Sequence, residues 1–236
     1  MTYLTDISIQ ADKFPGNDVY PFSVPLFQSG GELALKAPVT YFIGENGSGK
    51  STLLRAIANR CGIYIWKGVQ LLRSSSNRYE NALCNYLSVS WSNGTVPGSF
   101  FDSEVFRNFA QILDDWAESD PGVLSYFGGE SLLTQSHGQC NMSFFRNRFN
   151  RKGLYLLDEP ETALSPKYQI EFLELLKQTT ADGMAQYIIS THSPILLSHP
   201  DAAIYSFDST PLRQVNYEET ELYTVYKDFL NAREGA

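Results

Sequence analysis

An α/β fold with a mostly parallel core sheet, an antiparallel β patch and an inserted helical subdomain is what this sequence predicts. Three observations predict it. Gly44–Ser51 (GENGSGKS) fits the phosphate-loop pattern G-x-x-x-x-G-K-[ST], with an apolar run before it and a helical pattern after it. Gly153–Glu159 (GLYLLDE) and Ala185–Ser190 (AQYIIS) are further short apolar runs that end in polar residues. The segments Thr52–Asn59 and Lys167–Lys177 carry apolar residues at helical spacing.

Taken in order, residues 1–36 read as short strands broken by turns, Ser8–Gln10 among them. Tyr20–Phe27 contains Pro21 and Pro25 and suits an edge or a loop. Tyr20 or Phe22 is a candidate to stack on an adenine, beside the commoner role of a core aromatic. Ala37–Ile43 is apolar and β-branched, a buried strand. In the loop that follows, glycines let successive N–H groups turn toward an anion. The start of the next helix adds its positive end. Lys50 brings a full charge to the β- and γ-phosphates, and the Ser51 hydroxyl is a ligand for Mg²⁺. Leu53, Leu54 and Ile57 place Thr52–Asn59 on a helix.

Gly62–Trp66 and Tyr86–Trp91 look like strands, separated by the polar stretch Arg73–Asn81, and Asn93-Gly94 is a turn signal. They predict the antiparallel patch. Arg55, Arg60, Lys67, Arg73 and Arg78 make this half basic: a solvated surface, or a docking face for an acidic partner or nucleic acid. Glu104–Trp116 puts Val105, Phe109, Ile112 and Trp116 on one helical face. Asp120-Pro121-Gly122 ends that helix, and residues 102–140 form the predicted insertion. Ser136-His137-Gly138-Gln139 leads into Cys140–Phe149, a helix with Ser136 as N-cap. A hydroxyl and a glycine at an exposed helix start suit a phosphate bound from outside, although any capped helix looks the same.

Four apolar residues before an acidic pair gain meaning once a phosphate loop is present. Asp158 is predicted to hold Mg²⁺ through water. Glu159 is placed to take a proton from the attacking water. Pro160 breaks the strand, ETALSP forms a loop, and Ile170, Leu173 and Leu176 align on the next helix. His192 lies just past the C-terminal end of Ala185–Ser190, where open α/β sheets bind ligands, and is predicted to contact the γ-phosphate. Ala202–Phe207 and Leu212–Tyr217 predict a hairpin, and Leu222–Leu230 a last amphipathic helix.

The 236 residues suit one domain, 1–236, with 43% hydrophobic residues for its core. A net charge of −8 argues against broad nucleic-acid binding, leaving only a local basic run such as Arg146, Arg148, Arg151 and Lys152. Cys61, Cys84 and Cys140 show no metal or disulfide spacing, which points to a reducing compartment. No signal peptide is evident and no apolar run approaches the roughly 18 residues of a membrane span. The expectation is a cytoplasmic protein without direct membrane insertion.

The succession GENGSGKST, SHGQ, LYLLDEPETALSP and STHSP resembles the ATP-binding-cassette (ABC) superfamily over nearly the whole chain. Within it, the ETALSP loop and the proline after the histidine resemble bacterial standalone AAA-family ATPases. These are nearer the heads of chromosome-maintenance and recombination-repair ATPases than transporter subunits. The resemblance implies a P-loop NTPase of ABC type that hydrolyses ATP with Mg²⁺. Asn46, Gly47, Ser48, Gly49, Lys50, Ser51 and Thr52 would wrap the phosphates, and Ser51 and Asp158 would serve the metal. Glu159 looks like the general base and His192 like the switch histidine. Ser136, Gly138 and Gln139 look like the signature that reaches ATP on a second copy, which implies a head-to-tail homodimer in the ATP state. The departures are Gln135 and His137 in the signature, Ser165 in the loop after Glu159, and no clear lid glutamine. Residues near Ser103-Glu104 hold about that place, with Gln111 a weaker candidate. The 84 residues from 52 to 135 leave no room for a long coiled coil. The implied function is an ATP-driven homodimeric clamp on a protein partner, in stress or phage defence. The alternatives are DNA or RNA maintenance, and the energy-coupling subunit of a membrane transporter docking on residues 102–135.

Overall fold

The computed structural model describes residues 2–66, 79–127, 129, 131 and 137–234. In chain order its elements are β1 (Leu4–Ile9), α1 (Pro25–Gln28), β2 (Gly31–Ala34), β3 (Val39–Ile43), α2 (Lys50–Arg60), β4 (Leu87–Trp91), β5 (Gly98–Asp102), α3 (Ser103–Ser119), α4 (His137–Arg148), β6 (Gly153–Asp158), α5 (Pro166–Ala181), β7 (Ala185–Ser190), α6 (Pro194–Leu197), β8 (Ala202–Ser206), β9 (Arg213–Val215) and α7 (Glu221–Glu234). The larger sheet runs β5-β6-β7-β3-β8-β9 and is parallel except for β9. The smaller, β2-β1-β4, is antiparallel.

β3, β6 and β7 are buried along their whole length, which is why they read as unbroken apolar runs. Their residues alternate between two cores. Tyr41, Tyr155, Leu157, Tyr187 and Ile189 meet α3, α4 and α5. Phe42, Leu154, Leu156 and Ile188 meet α2 and the small sheet. On the first side aromatic rings bind α4 to α5 and to the sheet: Phe145 lies 4.5 Å from Phe172 of α5, and Phe149 lies 4.6 Å from Tyr155 and 5.1 Å from Tyr187, centroid to centroid.

The large sheet, the crossover helices and the 202–217 hairpin match expectation, and several details are corrected. Gly62–Trp66 is not a strand: Ile63 leaves the α2 turn and packs where a Cβ on Gly98 would stand, so the segment fills a gap instead of joining a ladder. Residues 73–78 of the polar stretch, with Lys67, Arg73, Arg78 and Gln135, lie outside the described residues. The antiparallel patch draws two of its strands from residues 1–36, and β5 joins the parallel sheet at its edge. Pro25–Gln28 is a helical turn, with Pro25 in its first turn, where a missing N–H costs nothing. On α3 the buried stripe is Phe106, Ala110 and Leu113, one residue round from the predicted one, and Trp116 is 51% exposed. On α5 it is Phe172, Leu173 and Leu176, with Ile170 turned outward. Val225, Tyr226, Phe229 and Leu230 of α7 are each more than half exposed, so that helix's apolar side is not buried as its pattern suggested. Among the described residues no helix is long and apolar enough to cross a membrane.

Gln186, wholly buried on β7, stitches the two sheets. Its Oε1 accepts from the Tyr3 and Leu4 N–H groups at 2.8 and 2.9 Å, and its Nε2 donates to the Leu4 carbonyl at 2.8 Å. Gln186→Leu strands three buried main-chain groups, each worth about 1–3 kcal/mol when unsatisfied. Urea unfolding should show a loss of at least about 3 kcal/mol. A loss under about 1 kcal/mol would mean that water replaces the amide.

Candidate functional site

The loop after β3 can turn inward because Gly44, Gly47 and Gly49 adopt φ of 138°, 84° and 104°. A Cβ on Gly49 would lie 2.9 Å from the Phe27 ring, and one on Gly44 2.8 Å from Asp208 Oδ1. That Asp208 oxygen accepts the Glu45 N–H at 2.7 Å and fastens the base of the loop. Lys50, the first residue of α2, is buried and donates to the Gly44 and Glu45 carbonyls at 2.6 and 2.9 Å. Burial lowers its pKa, opposed chiefly by Glu159 and then Asp208 and Asp158. The Ser48 hydroxyl is buried with no hydrogen-bond partner among the described residues, while Asn46 and Gly47 are exposed. Thr52 Oγ1 lies 2.6 Å from Tyr20 Oη. Of the two adenine candidates, Tyr20 is therefore at the loop. Phe22 is not: it is 1% exposed and packed among Phe14, Tyr79 and Tyr86 in tilted and edge-on contacts.

Ser51 Oγ donates to Asp158 Oδ1 at 2.9 Å, reaching past the end of β7 to the end of β6. Burial pushes the Asp158 carboxyl up to about 6, while the Ser51 bond and Arg55 act in the other direction. Glu159 takes φ 47°, the one left-handed non-glycine among the described residues. Such a conformation costs of order 1–3 kcal/mol and is found where the surroundings impose it. Here its N–H is held by the Ser190 carbonyl at 2.9 Å, and its side chain stands with Oε1 3.9 Å from His192 Nε2. β6 and β7 are neighbours, so the acidic pair and His192 come together as predicted. Burial, then Lys50, lowers the His192 pKa, which keeps the imidazole neutral at pH 7.

The His192 loop is fastened by residues that sequence reasoning did not single out. Its N–H donates to Glu161 Oε1 at 2.5 Å, and Ser193 Oγ donates to Gln169 Oε1 at 2.6 Å while capping α6. Glu161 follows Glu159 by two residues, and burial raises its pKa to about 6. Asp102 was also missed, and Arg55, read above only as part of a basic surface, pairs with it at 2.7 Å. Phe100-Phe101-Asp102 is a short apolar run ending in an acid, the same signal that marked Asp158. Asp102 closes β5 directly before α3, so it stands where a lid residue near Ser103-Glu104 was expected. Gln111 is exposed on α3, more than two turns beyond.

Gly138 and Gln139 sit in the first turn of α4. Gly138 is buried, and a Cβ there would lie 2.7 Å from Tyr168 Cδ2, so close approach of α4 to α5 requires the glycine. Gln139 is exposed. Ser136 lies outside the described residues. The phosphate loop, Asp158, Glu159 and His192 thus converge within one copy, while Gly138 packs on α5.

Residues 35–162 match the family model described as ABC transporter, and residues 137–197 the model described as AAA ATPase domain. The thiamine import ATP-binding protein ThiQ of Ruegeria sp. is 28% identical over 170 residues, 64% of this chain and 69% of that protein. The cytochrome c biogenesis ATP-binding export protein CcmA of Paramagnetospirillum magneticum is 32% identical over 169 residues, 65% of this chain and 74% of that protein. Among solved structures, cbiO1 of Clostridium perfringens, part of the ABC transporter complex cbiONQ, is alike in fold. Its TM-score is 0.54 at 18% identity, covering 97% of this chain and 96% of that one.

Glu161 gives a pH signature. An acid raised in the folded state binds its proton more tightly there than in the unfolded chain, so its contribution to stability falls as pH rises from 4.5 to about 6. The shift corresponds to about 2 kcal/mol. Glu161→Gln removes the charge and keeps an acceptor for the His192 N–H. At pH 7.5 this variant should be more stable than the parent by about 1–2 kcal/mol, with the gain gone at pH 4.5. Equal gains at both pH values would show that the Glu161 charge is not the cause.

Proposed function

The chain belongs to the ABC transporter family, whose members bind and hydrolyse ATP. From that premise we propose a Mg²⁺-dependent, ATP-driven homodimeric clamp acting on a protein partner. The observation that carries this reading is the Ser51–Asp158 bond of 2.9 Å, which brings a hydroxyl and a carboxylate together beside Lys50, Glu159 and His192.

The residues fit the cation. A hydroxyl and a carboxylate are hard oxygen donors of the kind Mg²⁺ selects. The Ser48 hydroxyl, without a hydrogen-bond partner among the described residues, and the glycine cradle fit a triphosphate. Ser51 and Asp158 would hold Mg²⁺, whose charge would offset that of the phosphates. Lys50 turns from its loop carbonyls to the β- and γ-phosphates, and the amides of residues 46–52 cradle the rest. Glu159 takes the proton of the attacking water. The left-handed backbone at Glu159 fixes the direction of its side chain. His192, neutral, reads the γ-phosphate with Nε2, an atom without a hydrogen-bond partner among the described residues. Tyr20 offers its ring to the adenine. Ser136, Gly138 and Gln139 complete the site from a second copy, so ATP draws two copies together and hydrolysis releases them.

One observation favours a second reading, the energy-coupling subunit of a transporter: the curated relatives are named as ATP-binding proteins of import and export systems. Nucleic acid is disfavoured by the charge of −8, and within the basic run Arg146 is paired with Glu171.

Glu159→Gln should lower ATP turnover by roughly 10²–10⁴-fold, the loss of a general base. In ATP the same variant should accumulate as a dimer by light scattering. A variant that stays monomeric in ATP overturns the clamp, and its co-purification with an integral membrane protein would favour the transport reading.

A further inference from the structure

β5 and β6 are neighbouring parallel strands, and their last residues, Asp102 and Asp158, are paired in register. Two carboxylates therefore end side by side, 7% and 5% exposed. Like charges so placed are unfavourable without a cation between them. Arg55 supplies it, one turn beyond Ser51 on α2. Its Nη2 lies 2.7 Å from Asp102 Oδ2 and 3.7 Å from Asp158 Oδ2. The first distance is a charge-assisted hydrogen bond and the second is not. Asp158 is thus divided: Oδ1 accepts the Ser51 hydroxyl at 2.9 Å, and Oδ2 looks toward a guanidinium whose bond is spent on Asp102.

We propose that Asp102 and Arg55 are positioning residues that set how tightly Ser51 and Asp158 take their divalent cation, Asp102 holding the guanidinium off Asp158. The proposal rests on the cation assignment made above. A guanidinium and a divalent cation compete for the same carboxylate, and the attraction of each rises as its distance falls. With the Asp102 carboxylate in place, Arg55 has a nearer partner and Asp158 keeps its charge for the metal. With an amide in its place, the guanidinium moves onto Asp158 and acts as a built-in competitor. A dication arriving at Asp158 in turn repels Arg55 toward Asp102. Asp102 is joined to α3 with no residue between, so occupancy of the cation site is felt at the junction of sheet and helical insertion.

The test is a Mn²⁺ titration of the full chain with a saturating non-hydrolysable ATP analogue, reading protein-bound Mn²⁺ by electron paramagnetic resonance. Asp102→Asn is expected to weaken Mn²⁺ binding about tenfold and Arg55→Leu to tighten it several-fold, with the double variant within about threefold of the parent. Equal affinity in Asp102→Asn and the parent overturns the proposal. A parent whose Mn²⁺ binding survives Ser51→Ala and Asp158→Asn unchanged overturns the cation assignment beneath it instead. Should the variants fail to fold, hydrogen exchange on the unaltered chain decides. Mn²⁺ with the analogue should slow exchange over residues 98–106 relative to the analogue alone, and unchanged exchange there overturns the proposal.

Discussion

A hydroxyl-to-carboxylate bond between Ser51 and Asp158 joins the phosphate loop to a strand it does not touch in the sheet, since β7 lies between β3 and β6. The bond exists only if three parallel strands end level, and the architecture serves that requirement. The cost is charge. Asp158 and Glu161 are carboxyls that burial raises to about 6, Asp102 is buried beside them, and Lys50 and Arg55 stand among them. Isolated buried charges of this kind would unfold a small domain. Interleaved acids and bases, each with hydrogen bonds, can coexist.

Such a polar edge needs a rigid apolar backing. The sheet is clamped from both faces, and each face does something different. One seats α2 and thereby Lys50 and Ser51. The other seats α4 and α5 through packed aromatics, and with them Gly138 and the capped loop around His192.

The sequence disclosed what depends on local pattern. The phosphate loop, the apolar strands that carry Asp158 and His192, and the helix after each strand all follow from residues close in the chain. What it hid depends on pairing at a distance. β5 is five residues long at the sheet edge, and its apolar run before Asp102 is only two residues, too short to mark a strand without its partner β6. The face of α3 was misplaced by one residue because Val105, Phe106 and Phe109 are all apolar, and only the tertiary partner decides which are covered. Gln186, Arg55 and Glu161 are polar residues whose importance lies in partners 183, 47 and 31 positions away. His192 was found because it sits at a strand end, whereas Glu161, which holds it, sits in a loop with no periodicity to mark it.

The left-handed backbone at Glu159 sets chemistry against endurance. Glycine at that position would relax the main chain and raise resistance to heat, and it would delete the carboxylate offered as the base. Laboratory selection for thermal tolerance alone would thus drift toward inert protein at this codon. Retention of a side chain there under such selection would measure how strongly turnover is being demanded.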